Sequence, residues 1–228
     1  MLTVLFLGDV VGEPGRTAVI ARLPELKEKY ALDFVIVNGE NAAGGRGITG
    51  KITIDLLRAG VSVVTTGDHI WDQKEIVPFL DLEPRLLRPL NYPDGAPGNG
   101  SIVLDTAKGK VGVINVQART FMQPILENPF RAMETAVAKI RAETPNIMNS
   151  ILGRTIEPIM NRFVSNLPAS FPVASGEVRL RGALIEIDET TGHALRITRV
   201  DEPGAIESAA TEPEPRIDIE QAPSPEQT

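Results

Sequence analysis

Three apolar segments of strand length, each ending in glycine followed by an acidic residue, constrain the fold more than any other feature. They occupy residues 1–10, 34–41 and 61–72 and end at Gly8-Asp9, Gly39-Glu40-Asn41 and Gly67-Asp68-His69. Helical patterns separate them, which predicts an α/β fold with a mostly parallel sheet. Because the carboxyl ends of parallel strands share one edge and ligands bind there, we expect one crevice that holds Asp9, Glu40, Asn41, Asp68 and His69.

The remaining elements follow from apolar spacing and turn signals. Helices are predicted at residues 16–30, around 54–57 after a glycine-rich loop at 42–50, at 73–80, after Asn128-Pro129 and near 155–164. Strands are predicted at 34–37, 61–64, 101–104 and 111–116, with a meander at 177–200. We expect Val19, Leu23, Leu26 and Tyr30 on the buried face of the first helix, and Phe130, Met133, Val137 and Ile140 on that of the last. Residues 10–15 and 85–100 are predicted as a turn and an irregular loop.

The loop after the second strand contains two glycine patterns of nucleotide-binding proteins. Gly45, Gly47 and Gly50 match a dinucleotide fingerprint, and Gly50-Lys51 nearly completes a P-loop. The fingerprint has to begin at the strand end, and the P-loop needs Ser or Thr where Ile52 stands. Both patterns therefore fail on context, and a flexible loop over the crevice is the better interpretation.

The acidic residues of the crevice favour a metal over bare acid–base catalysis. Asp9, Glu40 and Asp68 would repel one another when ionised, and a divalent cation relieves that repulsion. Oxygen ligands alone suit Mg²⁺ or Mn²⁺, while His69 would bind a metal or deliver a proton. The alternative is that Asp9 and Asp68 cap the helices that follow them.

Two further residues are candidates for substrate binding. Arg119 follows the strand-like VINVQ segment, where it would meet an anionic substrate group; a surface ion pair is the alternative. Asn91 lies in the loop rich in proline and glycine at residues 85–100. His193 follows a hairpin glycine, and we expect it to be exposed and without a catalytic role.

Charge and composition exclude several classes of protein. Residues 201–228 carry eight acidic residues and Arg216, whereas residues 1–200 hold 22 acidic and 22 basic residues. We therefore predict one domain over 1–200 without a basic surface for nucleic acid, and a disordered acidic tail over 201–228. No apolar run is long enough to span a membrane. The absence of cysteine excludes disulfides and fits a cytoplasmic protein.

Several blocks of the chain resemble the YmdB-like family of calcineurin-like metallophosphoesterases. They include FLGDVVGEPGR, NGENAAGGRGIT, VVTTGDHIWDQKEI, RPLNYPDGAPGNG, INVQARTFM and SILGRTIEPIMNRF, and the resemblance spans most of residues 1–200. It implies a layered fold of mostly parallel strands flanked by helices. We also predict a homo-oligomer. The resemblance further implies two divalent metals, iron or manganese with magnesium or zinc as alternatives, and a metal-bound hydroxide that attacks phosphodiesters such as cyclic nucleotides.

The resemblance also implies individual roles. Asp9 is similar to a ligand of one metal, Glu40 to the carboxylate that bridges both metals, and Asn41 to their polar neighbour. Asp68 stands where the family often has a metal-binding Asn. His69 is similar to the histidine that protonates the leaving group or steadies the phosphate.

The chain departs from the family between Ile147 and Met148. Two later blocks of the family, which resemble DxHAE and GTHTH and supply three histidine ligands, have no counterpart here, and the strand–helix alternation breaks at the same point. Either a segment is missing from this sequence or the deletion is real. Three hypotheses remain: a metal-dependent phosphodiesterase, a non-catalytic binding or regulatory remnant of that fold, and a nucleotide-binding module.

Overall fold

The computed structural model describes residues 1–119, 122–143 and 179–204, with the backbone alone for 141–143. The break at 147–148, the helix expected near 155–164 and residues 205–228 of the expected acidic tail lie outside the described residues.

The described chain forms a six-stranded sheet and a separate two-stranded ribbon. The strands, in chain order, are β1 (Leu2–Val11), β2 (Phe34–Asn41), β3 (Val63–Thr65), β4 (Leu86–Leu87), β5 (Ser101–Thr106), β6 (Gly109–Ile114), β7 (Arg179–Ile187) and β8 (Ala194–Pro203). The sheet order is β4-β3-β2-β1-β7-β8, and β5 pairs with β6. Strands β1 to β4 run parallel, whereas β7 and β8 are antiparallel to their neighbours. The predicted α/β class with a mostly parallel sheet is confirmed.

Within the described ranges, four α-helices and a 3-10 helix lie between the strands. They are α1 (Gly12–Tyr30), α2 (Gly50–Arg58), the 3-10 helix (Asp68–Trp71), α3 (Ile76–Leu80) and α4 (Pro129–Glu143). Helix α1 buries Val19, Leu23 and Leu26 as predicted. Asn128 Oδ1 accepts the N–H of Phe130 at 3.0 Å, so Asn128 caps α4 as expected.

The two faces of the sheet carry separate apolar cores. On one face α1, α2 and α3 cover the sheet around Leu5, Leu7, Val35 and Val37. On the other face Val111 and Val113 of β6 pack against sheet residues that include Leu2, Phe34 and Ile185. Because both faces are covered, β2 is buried along nearly its whole length, as the apolar run predicts.

Several predicted boundaries are wrong. Helix α1 begins at Gly12 in place of a turn over 10–15, because Pro14 falls in the first helical turn, where its missing N–H removes no hydrogen bond. The pair Leu86–Leu87 forms β4 inside the segment predicted as a loop. Phe130 is 68% exposed, and Ala136 is buried in α4. Strand β8 continues to Pro203, so Asp201 and Glu202 are strand residues.

Two glycines give a matched test of the β1–β7 pairing. A Cβ at Gly182 would lie 2.0 Å from the carbonyl oxygen of Phe6, whereas a Cβ at Gly8 would meet its nearest atom at 3.7 Å. We therefore expect Gly182→Ala to lower the free energy of unfolding by about 1–3 kcal/mol, because a strand backbone has to shift. Gly8→Ala is expected to stay within about 0.5 kcal/mol of the parent. Urea unfolding followed by circular dichroism measures both, and equal midpoints would contradict the pairing.

Candidate functional site

Asp9 and Asn41 meet at the carboxyl edge of the sheet. Strands β1 and β2 continue past their apolar runs, and Asp9 pairs with Asn38 between two register shifts. Such irregularities redirect side chains, and here Asn41 Nδ2 donates to Asp9 Oδ1 at 2.7 Å. Asn41 is 1% exposed, and its Oδ1 has no hydrogen-bond partner among the described residues. The site thus contains a buried amide oxygen that can bind a cation.

Glu40 lies against the glycine that precedes Asp68. The side chain of Glu40 is buried at the end of β2. A Cβ at position 67 would lie 1.8 Å from Glu40 Oε2, so this carboxylate fits only beside a glycine. Gly67 therefore brings the Glu40 carboxylate next to the start of the 3-10 helix, where Asp68 and His69 lie.

The 3-10 helix places His69 between two carboxylates. His69 Nδ1 lies 2.8 Å from Asp72 Oδ2, and Nε2 lies 3.9 Å from Asp68 Oδ2. The Asp72 N–H donates to the His69 carbonyl at 3.1 Å, which fixes this turn. Asp72 was missed by the sequence analysis, and its signal was an acidic residue three positions after the histidine of GDHIWD.

The alternative of helix capping finds no support. The N-cap of α1 is Val11, and that of the 3-10 helix is Gly67, neither of which makes a side-chain capping bond. Asp9 lies inside β1, and Asp68 is the first residue of its helix. The two carboxylates therefore require another explanation.

The glycine-rich loop packs on the 3-10 helix. Arg46 Nε donates to Asp72 Oδ2 at 2.9 Å, and Gln73 Nε2 donates to the Arg46 carbonyl at 3.1 Å. Lys51, which a P-loop would turn toward a phosphate, forms an ion pair with Asp55 at 2.8 Å and is 85% exposed. These contacts favour a loop that contacts the site over a nucleotide-binding loop.

The side chain of Asn91 links its own loop to the segments that contain Gln117 and Glu127. This structural use argues against the predicted role in substrate binding. Its Nδ2 donates to the carbonyl oxygens of Gln117 at 3.0 Å and Glu127 at 2.9 Å, and its Oδ1 accepts the Gln117 N–H at 2.9 Å. Asn91 is 1% exposed, so its amide is used inside the protein. Its sequence neighbourhood did not reveal these contacts, because both partners are distant in the chain.

Arg119 is exposed beyond the end of β6 and forms no ion pair with any residue in the described ranges. The alternative of a surface ion pair therefore has no partner within the described part of the chain. A role in substrate binding stays a prediction. Asn115, in the same strand-end segment, donates to the carbonyls of Thr66 at 2.8 Å and Leu87 at 3.1 Å.

The loop over residues 88–100 is held in place by a buried guanidinium. Arg88 donates to the carbonyl oxygens of Pro89 and Leu90 and to those of Ala96 and Pro97. Burial lowers the pKa of Arg88. In the same loop Tyr92 packs edge-on against Trp71 of the 3-10 helix, with ring centroids 5.4 Å apart. Burial raises the pKa of Tyr92, and the charge of Asp68 adds to that rise.

The donor set fits part of a metal site. Carboxylate oxygens of Asp9 and Glu40 and the buried Asn41 oxygen are hard ligands that suit Mg²⁺ or Mn²⁺. Among the described residues, however, no group of three or more His, Cys, Asp or Glu side chains is placed closely enough to hold a metal. The described residues therefore offer part of a ligand set rather than all of it.

The profile of the family described as YmdB-like protein matches residues 5–149 and 146–200. The chain belongs to this YmdB-like family. The match consists of two stretches that meet at residues 146–149, where the strand–helix alternation breaks in the sequence.

Three relatives and neighbours of this YmdB-like chain are informative. A 2',3'-cyclic-nucleotide 2'-phosphodiesterase of Bacillus subtilis is 35% identical, and the match covers 87% of this chain and 96% of that protein. That alignment runs over 255 positions, more than the 228 residues present here. A putative phosphatase/phosphodiesterase of Mycoplasma pneumoniae is 36% identical over 59% of this chain and 50% of its own length. A hypothetical protein of Thermus thermophilus has a similar structure, with a TM-score of 0.70 and 29% identity over 89% of this chain and all of that one.

A phosphatase from Mycoplasma pneumoniae shares the fold, with a TM-score of 0.70 at 24% identity over 90% of this chain and 95% of that one. In the described part of the chain, no helix combines the length and the apolar character needed to cross a membrane.

Asn91→Asp tests the structural role of this side chain. The change turns a carboxylate toward the carbonyls of Gln117 and Glu127, so we expect the free energy of unfolding to fall by about 2–4 kcal/mol. The matched control is Asn128→Asp, because exposed Asn128 uses only its acceptor oxygen, which aspartate retains. Urea unfolding curves compare the two variants. If the urea midpoint of Asn91→Asp equals that of the parent, the structural role is wrong and Asn91 is again a candidate for substrate binding.

Proposed function

We propose that this YmdB-like protein is a metal-dependent phosphodiesterase that hydrolyses phosphodiesters such as cyclic nucleotides. The observation that carries the proposal is the junction of Asp9, Glu40, Asn41 and the 3-10 helix at one sheet edge, through the Asp9–Asn41 hydrogen bond and the Glu40–Gly67 contact. The named activity of the Bacillus relative supports the class of substrate.

The residues divide between metal binding and proton transfer. Asp9, Glu40, Asn41 and Asp68 would hold two divalent metals together with further ligands, with iron or manganese as the expected ions. When bound, the metals would polarise the phosphoryl group and activate the attacking water. His69, held by Asp72, presents Nε2 on the side of Asp68, where it would donate a proton to the leaving oxygen. Arg119, which is exposed beyond the end of β6, is proposed to meet the anionic substrate.

We infer that the remaining metal ligands belong to a segment between Ile147 and Met148. The family match in two stretches and the 255-position alignment support a segment that other members carry and this sequence lacks. The partial donor set among the described residues agrees with this inference. If Ile147 and Met148 are adjacent in the natural protein, the hypothesis of a non-catalytic binding remnant applies instead.

His69→Ala tests the proposed acid. We expect kcat toward a 2',3'-cyclic nucleotide with added Mn²⁺ to fall about 100-fold or more, because a general acid contributes at least that factor. Metal content, measured by mass spectrometry of the metals, should stay at the parent level. His193→Ala is the control, since His193 is exposed in the β7–β8 hairpin. A parent protein without turnover of any phosphodiester in excess Mn²⁺ would contradict the proposal.

A peptide map tests the inferred segment. If Ile147 and Met148 are adjacent, trypsin releases the peptide AETPNIMNSILGR, residues 142–154. We expect this peptide to be absent from protein isolated from its source, the intact mass to exceed 24.6 kDa, and two metals to bind per chain. Detection of the peptide together with one metal or none would favour the non-catalytic remnant.

A further inference from the structure

Strand β8 forms one end of the six-stranded sheet. It pairs with β7 on one side, and among the described residues no strand lies on its other side. It is ten residues long, from Ala194 to Pro203. The outer edge of so long a strand presents a row of backbone N–H and C=O groups that can pair with a further strand. This edge is therefore a docking surface for an extended segment of chain.

The side chains of β8 differ between the two faces of the sheet. Ile197 is paired with Ile185, which belongs to the core on the face that β6 covers, yet Ile197 is 66% exposed. Arg196 is paired with Glu186 on the opposite face, where its Nε lies 3.8 Å from Glu186 Oε2 and its side chain is 70% exposed. A strand added at this edge would thus meet an apolar residue on one face and a cation on the other.

The acidic tail contains a segment that matches both faces of this edge. Residues 217–220 have the sequence IDIE, in which apolar and acidic residues alternate, and Pro215 and Pro223 bound the stretch that contains them. Alternation with a period of two places both isoleucines on one face of a strand and both carboxylates on the other. Residues 204–212, GAIESAATE, have one isoleucine and no such alternation. The segment around IDIE is therefore the part of the tail that is suited to the edge of β8.

We propose that residues 216–220 bind to the outer edge of β8 as an antiparallel strand. The register that sets Ile217 opposite Ile197 also sets Asp218 opposite Arg196, so that one alignment forms an apolar pair and an ion pair. Directly opposed pairs of both kinds stabilise a sheet. Arg196 then lies between two carboxylates, that of Glu186 on β7 and that of Asp218 on the added strand.

The connection between β8 and the added strand is long enough for this return. Twelve residues, 204–215, separate the end of β8 from residue 216. In the proposed register residue 216 lies opposite Thr198, about 17 Å back along β8 from Pro203, whereas twelve residues span up to about 40 Å. The composition of the tail predicts disorder, and the sheet edge is the partner on which such a segment becomes ordered. The family match ends at residue 200, so the added strand is a feature of this chain beyond the matched region.

Amide hydrogen exchange of the full chain tests the added strand without substrate or metal. We expect the amides of β8 that point away from β7 to exchange at least about 10-fold more slowly in the parent than in Ile217→Pro, because proline removes an N–H and disrupts the strand. Ile206→Pro is the matched control, since it makes the same change in the connecting residues, and it should leave the exchange of β8 at the parent rate. Equal rates in the parent and in Ile217→Pro would overturn the proposal.

Disulfide trapping tests the register, and the chain is suited to it because it has no cysteine of its own. Thr198→Cys combined with Arg216→Cys is expected to form an intramolecular disulfide under mild oxidation, because the Cβ atoms of directly opposed residues lie about 5 Å apart. Both substitutions leave the isoleucines, Asp218 and Arg196 in place. The yield is measured on non-reducing gels and by mass spectrometry of the linked peptides.

The matched control is Thr198→Cys combined with Ser208→Cys, which places the second thiol in the connecting residues. We expect its intramolecular yield to be at least about fivefold lower, since its Cβ atoms are not held within bonding distance of each other. Equal yields of the two pairs would overturn the proposal. Disulfide-linked dimers of the single variant Thr198→Cys at micromolar concentration would instead assign the edge of β8 to a second copy of the chain, which would also overturn it.

Discussion

The parallel pairing of β1 with β2 beyond their apolar runs is the constraint on which the candidate site depends. It carries Glu40 and Asn41 into a buried environment, where polar groups are costly unless they find partners. The hydrogen bond from Asn41 to Asp9 offsets part of that cost and links the two strands at the sheet edge. Apolar residues at these positions would stabilise the sheet more, so the buried polar residues are better explained by function than by folding.

The sequence predicted the elements whose patterns are long and regular. The runs of apolar residues in β1 and β2 predict buried strands, because both faces of the sheet are covered. The periodic apolar residues of α1 predict a helix with one buried face. Leu86–Leu87 was missed because a two-residue strand has no pattern of its own and forms only by pairing with β3. The 3-10 helix at Asp68 was missed for a similar reason, since one short turn is decided by its surroundings.

The same distinction applies to the site. The strand-end rule predicted Asp9, Glu40, Asn41 and Asp68 at one edge of the sheet, because topology alone determines where the carboxyl ends of parallel strands lie. The contacts of Asn91 did not follow from that rule, because Asn91 lies in the loop over 85–100 and its partners Gln117 and Glu127 come close only in the tertiary structure. Asp72 also escaped notice, because its contact with His69 depends on the turn geometry of the 3-10 helix.

Metal binding and the orientation of His69 depend on different parts of the chain. The strands β1 and β2 carry the oxygen atoms proposed as ligands, and the remaining ligands are inferred to come from beyond Ile147. His69, in contrast, is held by Asp72 within its own turn and by the loop that carries Arg46, all within residues 46–73. A deletion after residue 147 would therefore remove the inferred metal ligands and leave the contacts of His69 with Asp72 and Arg46 intact. A chain of this kind would keep an oriented histidine beside an incomplete metal site, so an oriented His69 is not by itself a sign of catalysis.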